Sequence, residues 1–340
     1  MSGVERVTMK DVAKVAHVSP RTVSNVVNDY EYVKEDTRKR VWDAINSMGY
    51  SLNLSARGLR QGNTGIIILA VPDLTMPYFA DLSDAVIAAA QKRGLYVLVE
   101  PTASNRNRER EALHGMRKNM ADGIIYCPLE LNRKEIELLD VGIPVTVLSE
   151  PFGDRHFDHV MIQNREASLT ATEYLLSRGC RRIAAIGLYG GQRQGPSVER
   201  LAGYRDALKQ AGIPIDERLE VRTDSWHRSD GVAAVRKLLD QSVEIDGVVA
   251  FTDQLAEGAM FALQMAGKKV PDDVAVIGFD NNDESQYLMP PLTTIDPGID
   301  KIAAQAVDIL HSRIYGDESE KEKGQIIKKA PFELIIRQSA

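Results

Sequence analysis

Residues 19–28 combine side chains that can form hydrogen bonds with a stripe of valines. Val23, Val26 and Val27 recur at helical spacing, so they can face a neighbouring helix. The other positions carry short or hydrogen-bonding side chains: Ser19, Pro20, Arg21, Thr22, Ser24, Asn25 and Asn28. Because arginine can bind guanine through two acceptors and asparagine suits adenine, this face predicts contacts with bases and phosphates in a DNA major groove.

A second set of side chains follows apolar, strand-like runs later in the chain. The candidates are Asp73, Tyr78, Phe79, Ser149 with its neighbour Glu150, Arg200, Trp226, Thr252 and Asp280. Carboxylates and an arginine can grip hydroxyl groups while a flat aromatic ring covers an apolar ring face. The set therefore predicts a small polar ligand such as a sugar.

Each of these residues also has a structural interpretation. Asp253 is expected to cap a helix that begins at Gln254, and Asp280 could satisfy loop amides. A lone tryptophan such as Trp226 is more often part of a core than a ligand platform. The position of these residues at strand ends favours the ligand-binding interpretation, since open parallel sheets bind ligands outside the carboxyl ends of their strands.

Three helices are expected to position the first set. An apolar stripe over residues 9–16 predicts one helix, and Ser19-Pro20 gives the N-cap and first turn of the next. A third is predicted over 35–48, with Gly49 as its C-terminal stop. The arrangement indicates a helix-turn-helix, although two ordinary amphipathic helices of a larger core remain an alternative from the motif alone.

From Gly65 onward, strand-like and helix-like segments alternate. Strand-like runs are expected at 65–71, 96–100 and 123–127, with helices at 79–92 and 108–120, and the rhythm continues to 274–279. This βαβ order predicts parallel sheets wrapped by helices. The fold class is therefore α/β, with an N-terminal all-α head and two parallel α/β lobes whose cleft holds the ligand.

Charge and cysteine usage narrow the function classes. The chain has 340 residues and a net charge of -6, but residues 1–64 carry +3 and the remainder -9, so a DNA-binding surface should be local to the head. Cys127 and Cys180 are too few for a disulfide framework and lack metal-ligand spacing. We expect no cofactor, no metal, no membrane segment and a cytoplasmic protein.

Several motifs resemble the lactose-repressor (LacI/GalR) family of regulators. They are Val12-Ala13, the run 18–28, Thr37-Arg38, Gly49-Tyr50 and the segment 53–59. The resemblance implies a helix-turn-helix head at 1–51 and a hinge helix or linker at 52–64. It further implies two lobes like those of periplasmic binding proteins, the first from 65–163 with 297–325 and the second from 164–292 with 326–340.

The same resemblance implies residue roles. Further DNA contacts are expected from Thr8, Lys10, Thr37, Asn53, Ala56 and Arg57, and Leu59 would wedge into the minor groove and kink the duplex. Arg200 would clamp the effector, Trp226 would stack on it and Asp280 would bind it. Leu52 and Thr252 stand where the family more often has proline and asparagine, so the hinge and one effector contact differ here.

A homodimer is expected, because paired half-sites multiply the specificity of a single head. We expect the contact on the first lobe, at helix 79–92 with Leu82, Val86, Ala89 and Ala90, and no heptad-bearing tail follows that could form a tetramer.

The leading function hypothesis is a transcriptional repressor that binds operator DNA and whose operator affinity is controlled by a sugar or sugar derivative. Alternatives are regulation by a nucleoside or purine corepressor, an enzyme with a DNA anchor, and an architectural DNA protein. The enzyme hypothesis is weakened because the sequence shows no nucleophile elbow, no zinc motif and no nucleotide-binding loop.

Overall fold

The computed structural model describes residues 7–27, 30, 32–50, 63–115, 120–137, 141–151, 157–189, 195–321 and 324–340. The chain divides into two compact units, residues 1–64 and 65–340. Five predicted DNA contacts lie outside the described residues: Asn28, Asn53, Ala56, Arg57 and Leu59. Within the described part of the chain, no helix has the length and apolar character to cross a membrane.

The described residues of the first unit form three helices, α1 (Met9–Val15), α2 (Pro20–Val27) and α3 (Glu35–Met48). Their shared core consists of Val12, Ala13, Ala16, Val23, Val26, Val41, Ala44 and Ile45. Ser19 Oγ accepts a hydrogen bond from the Thr22 amide at 3.0 Å, which caps α2, and Gly49 ends α3 in a left-handed conformation with φ of 61°. The predicted helix-turn-helix and its third helix are confirmed.

The described residues of the second unit form two six-stranded sheets, each the centre of one lobe. The first-lobe sheet has the order β11-β5-β4-β3-β1-β2 and is parallel throughout. Its strands are β1 (Ile66–Val71), β2 (Tyr96–Pro101), β3 (Gly123–Tyr126), β4 (Val145–Val147), β5 (Asp158–Ile162) and β11 (Ile327–Ala330). Its helices are α4 (Pro77–Lys92), α5 (Arg106–His114), α6 (Arg133–Glu137), α11 (Ile299–Tyr315) and α12 (Glu318–Lys321). Helices α4 and α11 pack on one face and α5 on the other, so both faces are covered.

The second-lobe sheet has the order β12-β10-β9-β8-β6-β7, and only β12 runs antiparallel to its neighbour. Its strands are β6 (Ile183–Tyr189), β7 (Glu220–Thr223), β8 (Gly247–Ala250), β9 (Ala275–Phe279), β10 (Thr293–Asp296) and β12 (Glu333–Ile335). Its helices are α7 (Asn164–Ser177), α8 (Pro196–Gln210), α9 (Arg228–Asp240) and α10 (Asp253–Met265). The predicted α/β class with two parallel-sheet lobes is confirmed.

The chain passes between the lobes three times, after β5, after β10 and after β11. The expected second-lobe segment 326–340 is therefore wrong at its start, because Ile327–Ala330 pairs with β5 of the first lobe. Only the residues from about Pro331 onward return to the second sheet, where Glu333–Ile335 pairs with β10. The expected helix over 108–120 is also shorter, because α5 ends at His114 and Gly115 is extended.

Three of the side chains expected at the dimer contact on α4 do not face outward. Leu82, Val86 and Ala90 are fully buried in the core of their own lobe, where they pack with α11 and β1. Those three side chains are buried within the first lobe and cannot contact a partner chain.

Candidate DNA interface and effector site

Helix α2 presents the polar face that the sequence predicts. Pro20 and Arg21 are exposed, while Thr22, Ser24 and Asn25 are half-buried on the side away from the valines in the core. Arg21 and Asn25 are four residues apart and so lie about one turn from each other on the same face. This arrangement suits a helix that enters a groove with its first turns. Lys10 on α1 is also exposed, and Thr37 on α3 is half-buried.

Three predicted contact residues, Thr8, Ser19 and Thr22, also form hydrogen bonds within the head. The amide and hydroxyl of Thr8 both donate to Asp11 Oδ2, at 3.0 and 2.5 Å, which closes the start of α1. These hydrogen bonds lower the pKa of Asp11. Ser19 caps α2, and its hydroxyl also shares a hydrogen bond of 2.9 Å with that of Thr22. These hydroxyl groups therefore fix the positions of the helix starts.

Sequence reasoning did not single out a second basic and aromatic surface of the head. Lys39 and Arg40 are exposed on α3, and Tyr30 and Tyr32 are exposed with ring centroids 5.6 Å apart. Arg38 anchors this segment, because its guanidinium donates to the Tyr30 carbonyl at 3.2 Å. The run of three basic residues at 38–40 was the signal available in the sequence.

The two lobes of the second unit enclose a cavity of about 750 Å³, including the part that opens to solvent. Seven of the eight predicted effector residues line it: Tyr78, Phe79, Ser149, Arg200, Trp226, Thr252 and Asp280. Asp73 does not line the cavity. Its carboxylate instead lies 3.2 Å from the Nε2 atom of His227 on the second lobe, so it joins the lobes outside the cavity.

Among the described residues that line this cavity, Arg200 is the only cation, and only 3% of it is exposed. Helix α8 carries it inward, where Nε donates to Asn164 Oδ1 at 2.8 Å and Nη1 donates to the carbonyl of Phe251. Its Cζ atom lies 3.4 Å from the centroid of the Phe279 ring. Burial lowers the pKa of Arg200, an effect that the nearby carboxylate of Asp280 opposes. The guanidinium is thus held in one orientation before any ligand arrives.

Two buried carboxyl groups accompany Arg200. Asp280 follows β9 with φ of 121°, a left-handed conformation that costs energy for a residue with a side chain. Glu150 Oε1 accepts from Asn164 Nδ2 at 2.6 Å, whereas Glu150 Oε2 is buried without a hydrogen-bond partner among the described residues. Burial raises the pKa of both groups, and Arg200 opposes the shift. Both are candidate acceptors for ligand hydroxyl groups.

The capping role expected of Asp253 belongs to its neighbour Thr252. Thr252 caps α10, because its Oγ1 accepts from the Leu255 amide at 3.1 Å, so the expectation that Asp253 caps this helix is wrong. The fully buried carboxylate of Asp253 accepts from the Asn282 amide at 2.9 Å and the Ser285 hydroxyl at 2.6 Å. Asp253 therefore fixes the loop that carries Asp280.

Trp226 is half-buried and stands on the second-lobe side of the cavity. Its Nε1 donates to the Gly187 carbonyl at 2.8 Å, and its ring meets Tyr189 edge-on at 6.5 Å between centroids. The Tyr189 hydroxyl donates across the cleft to Glu130 Oε1 of the first lobe at 3.2 Å. The pairs Tyr189–Glu130 and Asp73–His227 are thus two contacts between the lobes, called the rim contacts below, and none of the four residues lines the cavity.

Sequence reasoning missed Asn164, which holds both Arg200 and Glu150. It opens α7 directly after β5, and β5 was not recognised as a strand because it contains Asp158 and His159. The thiols of Cys127 and Cys180 are free and buried, and burial raises the pKa of both. Among the described residues, no group of three or more His, Cys, Asp or Glu could hold a metal ion.

Comparison with known proteins places these sites in context. Residues 8–53 match the model of bacterial regulatory proteins of the lacI family, and residues 172–340 match that of a periplasmic binding protein-like domain. The HTH-type transcriptional repressor PurR of Actinobacillus pleuropneumoniae serotype 3 (strain JL03) is 32% identical over 98% of this chain and 98% of its own. The ribose operon repressor of Halalkalibacterium halodurans is 32% identical over 98% and 96%, respectively.

The fold resembles a solved structure over nearly the whole chain. The crystal structure of the lac repressor dimer bound to operator and the anti-inducer ONPF superposes with a TM-score of 0.82. The two chains are 25% identical, and the alignment covers 98% of this chain and 99% of that one.

Proposed function

The chain belongs to the LacI family of DNA-binding transcriptional regulators, and we propose that it is a repressor whose operator affinity is set by a sugar or sugar derivative bound between the two lobes. The observation that carries this proposal is the cavity at the strand ends. It joins a fixed guanidinium, two buried carboxyl groups and an aromatic face in a chain whose head is a helix-turn-helix. Such a protein acts on DNA in the cytoplasm and is not an enzyme.

The chemistry of the cavity favours a hydroxylated ligand. A sugar hydroxyl can accept from Arg200 and donate to Asp280, while Trp226 can cover the apolar face of the ring. The ribose operon repressor among the relatives supports this class. The three rings of Tyr78, Phe79 and Trp226 also suit a flat base, which keeps a nucleoside as the second candidate.

The three chain crossings between the lobes can couple ligand binding to a movement of one lobe relative to the other. A ligand that contacts both lobes favours the closed cleft and can therefore shift the lobes as rigid bodies about these crossings. In a homodimer, each chain contributes one second unit, and such a shift changes the contact between these two units. Ligand binding in the cavity is thereby coupled to the paired heads.

A homodimer is proposed with a changed contact surface. Phe261 and Met265 are exposed on one face of α10, four residues apart, and Met289 adjoins this helix, because its carbonyl accepts from Gln264 Nε2 at 2.8 Å. Sedimentation of the full chain tests this surface. A dimer that Met265→Glu weakens by tenfold or more supports it, and a monomeric wild-type chain at micromolar concentration contradicts it.

The function itself is tested with DNA selected by the full chain from a random pool. Arg21→Ala should lose about 1–3 kcal/mol on the selected site and relax its preference at one base, with a smaller loss on random DNA. A panel of sugars, methyl glycosides and nucleosides is then titrated at fixed salt, because operator affinity depends strongly on salt. A panel in which no compound changes the affinity for the selected DNA contradicts the proposal.

A further inference from the structure

Asn164 lies where the chain first passes from the first lobe to the second. It is the first residue of α7, and only 3% of it is exposed. Its side chain forms two hydrogen bonds of opposite direction. Oδ1 accepts from Arg200 Nε at 2.8 Å, and Nδ2 donates to Glu150 Oε1 at 2.6 Å. One buried amide therefore joins a carboxyl group of the first lobe to a guanidinium of the second.

The hydrogen bond to Arg200 lies within a rigid part of the second lobe. Helices α7 and α8 pack so closely that a Cβ atom on Gly203 would collide with the carbonyl of Arg165. Asn164 and Arg200 each lie within three residues of this contact, so the helix pair fixes the distance between them. We expect this hydrogen bond to persist when the lobes move.

The hydrogen bond to Glu150 differs, because it crosses from one lobe to the other. Glu150 follows β4 of the first-lobe sheet, whereas Asn164 begins the second lobe. A further contact anchors the backbone at this crossing, since Gln163 Nε2 donates to the carbonyl of Ala330 at 3.0 Å, where the chain makes its third crossing. Of the two hydrogen bonds made by the Asn164 side chain, the one to Glu150 is therefore the one that can lengthen when the angle between the lobes changes.

From this difference we propose that Asn164 is a positioning residue that couples the grip of Arg200 on the effector to the angle between the lobes. The inference rests on the proposed function and names the residue that carries its coupling. Arg200 and Glu150 both line the cavity, so an effector that contacts either side chain acts on the same chain of hydrogen bonds. Without the Asn164–Glu150 bond, the guanidinium stays fixed to the second lobe alone, and effector binding favours one lobe angle less strongly.

Asn164→Asp separates the two hydrogen bonds while it keeps the shape of the side chain. The introduced carboxylate can still accept from Arg200 Nε, but it has no proton to donate to Glu150 Oε1. Two carboxylates in contact repel, and this pair regains a hydrogen bond only when it takes up a proton. The variant should therefore lose the link between the lobes at high pH and recover it at low pH. Glu199 on α8 also acts on Glu150 and is present in every variant compared.

Glu150→Gln supplies a matched background for this substitution. The amide of the new side chain can rotate to donate to the introduced carboxylate, so the double variant restores the chain with one hydrogen bond reversed. The cost of Asn164→Asp is therefore measured twice, in the wild type and in Glu150→Gln. Asn105→Asp is the control, because it makes the same substitution at an exposed helix start of the first lobe, where the side chain accepts from two backbone amides.

The experiment uses the full chain with ribose, methyl ribofuranoside, glucose, methyl glucopyranoside and adenosine. Calorimetry gives the affinity for each compound, and operator affinity is measured with and without the compound at saturation. For a compound that binds the wild type, Asn164→Asp should weaken binding about 10-fold or more at pH 8 and less than about 3-fold at pH 5.5, compared with the wild type at the same pH.

The operator response should follow the same pattern. In Asn164→Asp, the change in operator affinity at saturation should shrink to less than about 3-fold at pH 8 and return at pH 5.5. In the Glu150→Gln background, the same substitution should weaken binding by less than about 3-fold at either pH. Asn105→Asp should match the wild type throughout.

The outcomes separate this inference from the function on which it rests. If a compound binds and changes operator affinity, but Asn164→Asp has the same cost in both backgrounds and at both pH values, Asn164 has a structural role only and the repressor stands. Failure of Asn164→Asp to fold in both backgrounds, measured by thermal unfolding, leads to the same conclusion. If none of the compounds changes the operator affinity of the wild type, the sugar-controlled repressor is wrong and the inference is wrong with it.

Discussion

The two lobes have nearly the same sheet order, yet they present different proportions of polar and apolar side chains to the cavity. The second lobe supplies Arg200, Thr252 and Asp280 at the ends of its helices and strands, whereas most of the first-lobe wall consists of apolar side chains. The difference shows that the topology determines where a ligand binds, while the residues at the strand ends determine which lobe recognises its polar groups.

Behind each wall, one fully buried carboxylate holds the loop that faces the cavity. In the second lobe it is Asp253, described above. In the first lobe it is Glu109, which accepts from the Tyr126 hydroxyl at 2.5 Å and from the amides of Leu129, Glu130 and Leu131. Burial raises the pKa of both groups, and these hydrogen bonds oppose the shift. The lobes thus use the same device behind different surfaces.

The largest expected effect comes from removing these two carboxylates separately. Asp253→Asn and Glu109→Gln each place an amide where buried donors converge, so each should lower the free energy of unfolding by about 2–3 kcal/mol. Denaturant unfolding measures the loss. Only Asp253→Asn should also weaken methyl glycoside binding, because only that loop carries Asp280. Equal weakening by both variants would show that the polar grip does not belong to the second lobe alone.

Arg200→Lys probes the polar wall directly. Lysine cannot keep both the Asn164 and Phe251 hydrogen bonds in the planar geometry of arginine, so effector affinity should fall about 100-fold, which is about 2.7 kcal/mol. Calorimetry with the tightest-binding glycoside measures the change. Arg165→Lys, at an exposed arginine paired with Asp206, is the control and should bind normally. Near wild-type effector affinity in Arg200→Lys would show that Arg200 has a structural role only.

Glu150→Gln should give a smaller, pH-dependent gain in stability. Because burial raises the pKa of Glu150 in the folded state, the contribution of this group to stability is greatest below the ordinary pKa of glutamate and is lost as the pH rises through the raised value. Glutamine has no charge to bury, so the variant should be about 0.5–1 kcal/mol more stable than the wild type at pH 8 and nearly equal at pH 4. Thermal unfolding across pH measures this difference. Glu173→Gln, at an exposed site, should show no such trend.

Tyr189→Phe should have the smallest effect. It removes the hydroxyl that bridges the cleft to Glu130, so the closed form loses one hydrogen bond, and effector affinity should fall by about 2–5-fold. Tyr315→Phe removes a hydroxyl that donates to Asp122 within the first lobe and serves as the control. An unchanged affinity in Tyr189→Phe would mean that the rim contact does not stabilise the ligand-bound state.

The sequence predicted those parts of the molecule that depend on local signals. Helix α3 and its glycine stop follow from periodicity and capping, and seven of the eight effector candidates lie together because strand ends of a parallel sheet meet at one edge. Strands β5 and β11 were not predicted, because polar residues interrupt their apolar pattern. These include Asp158, His159, Lys328 and Lys329. Missing β5 also hid Asn164. The roles of Thr252 and Asp253 depend on contacts between distant segments that no local pattern records.

The central claim is that the grip of the second lobe on the effector sets operator affinity, and one titration tests it most directly. The dissociation constant for the selected operator DNA is measured at fixed salt while the tightest-binding glycoside is added to the wild type and to Arg200→Lys. We expect the operator affinity of the wild type to change by tenfold or more as the cavity fills. The variant should match the wild type without ligand and show no response at concentrations that saturate the wild type. A wild type whose operator affinity stays constant at saturation, or a variant that responds at the same concentrations, would contradict the account.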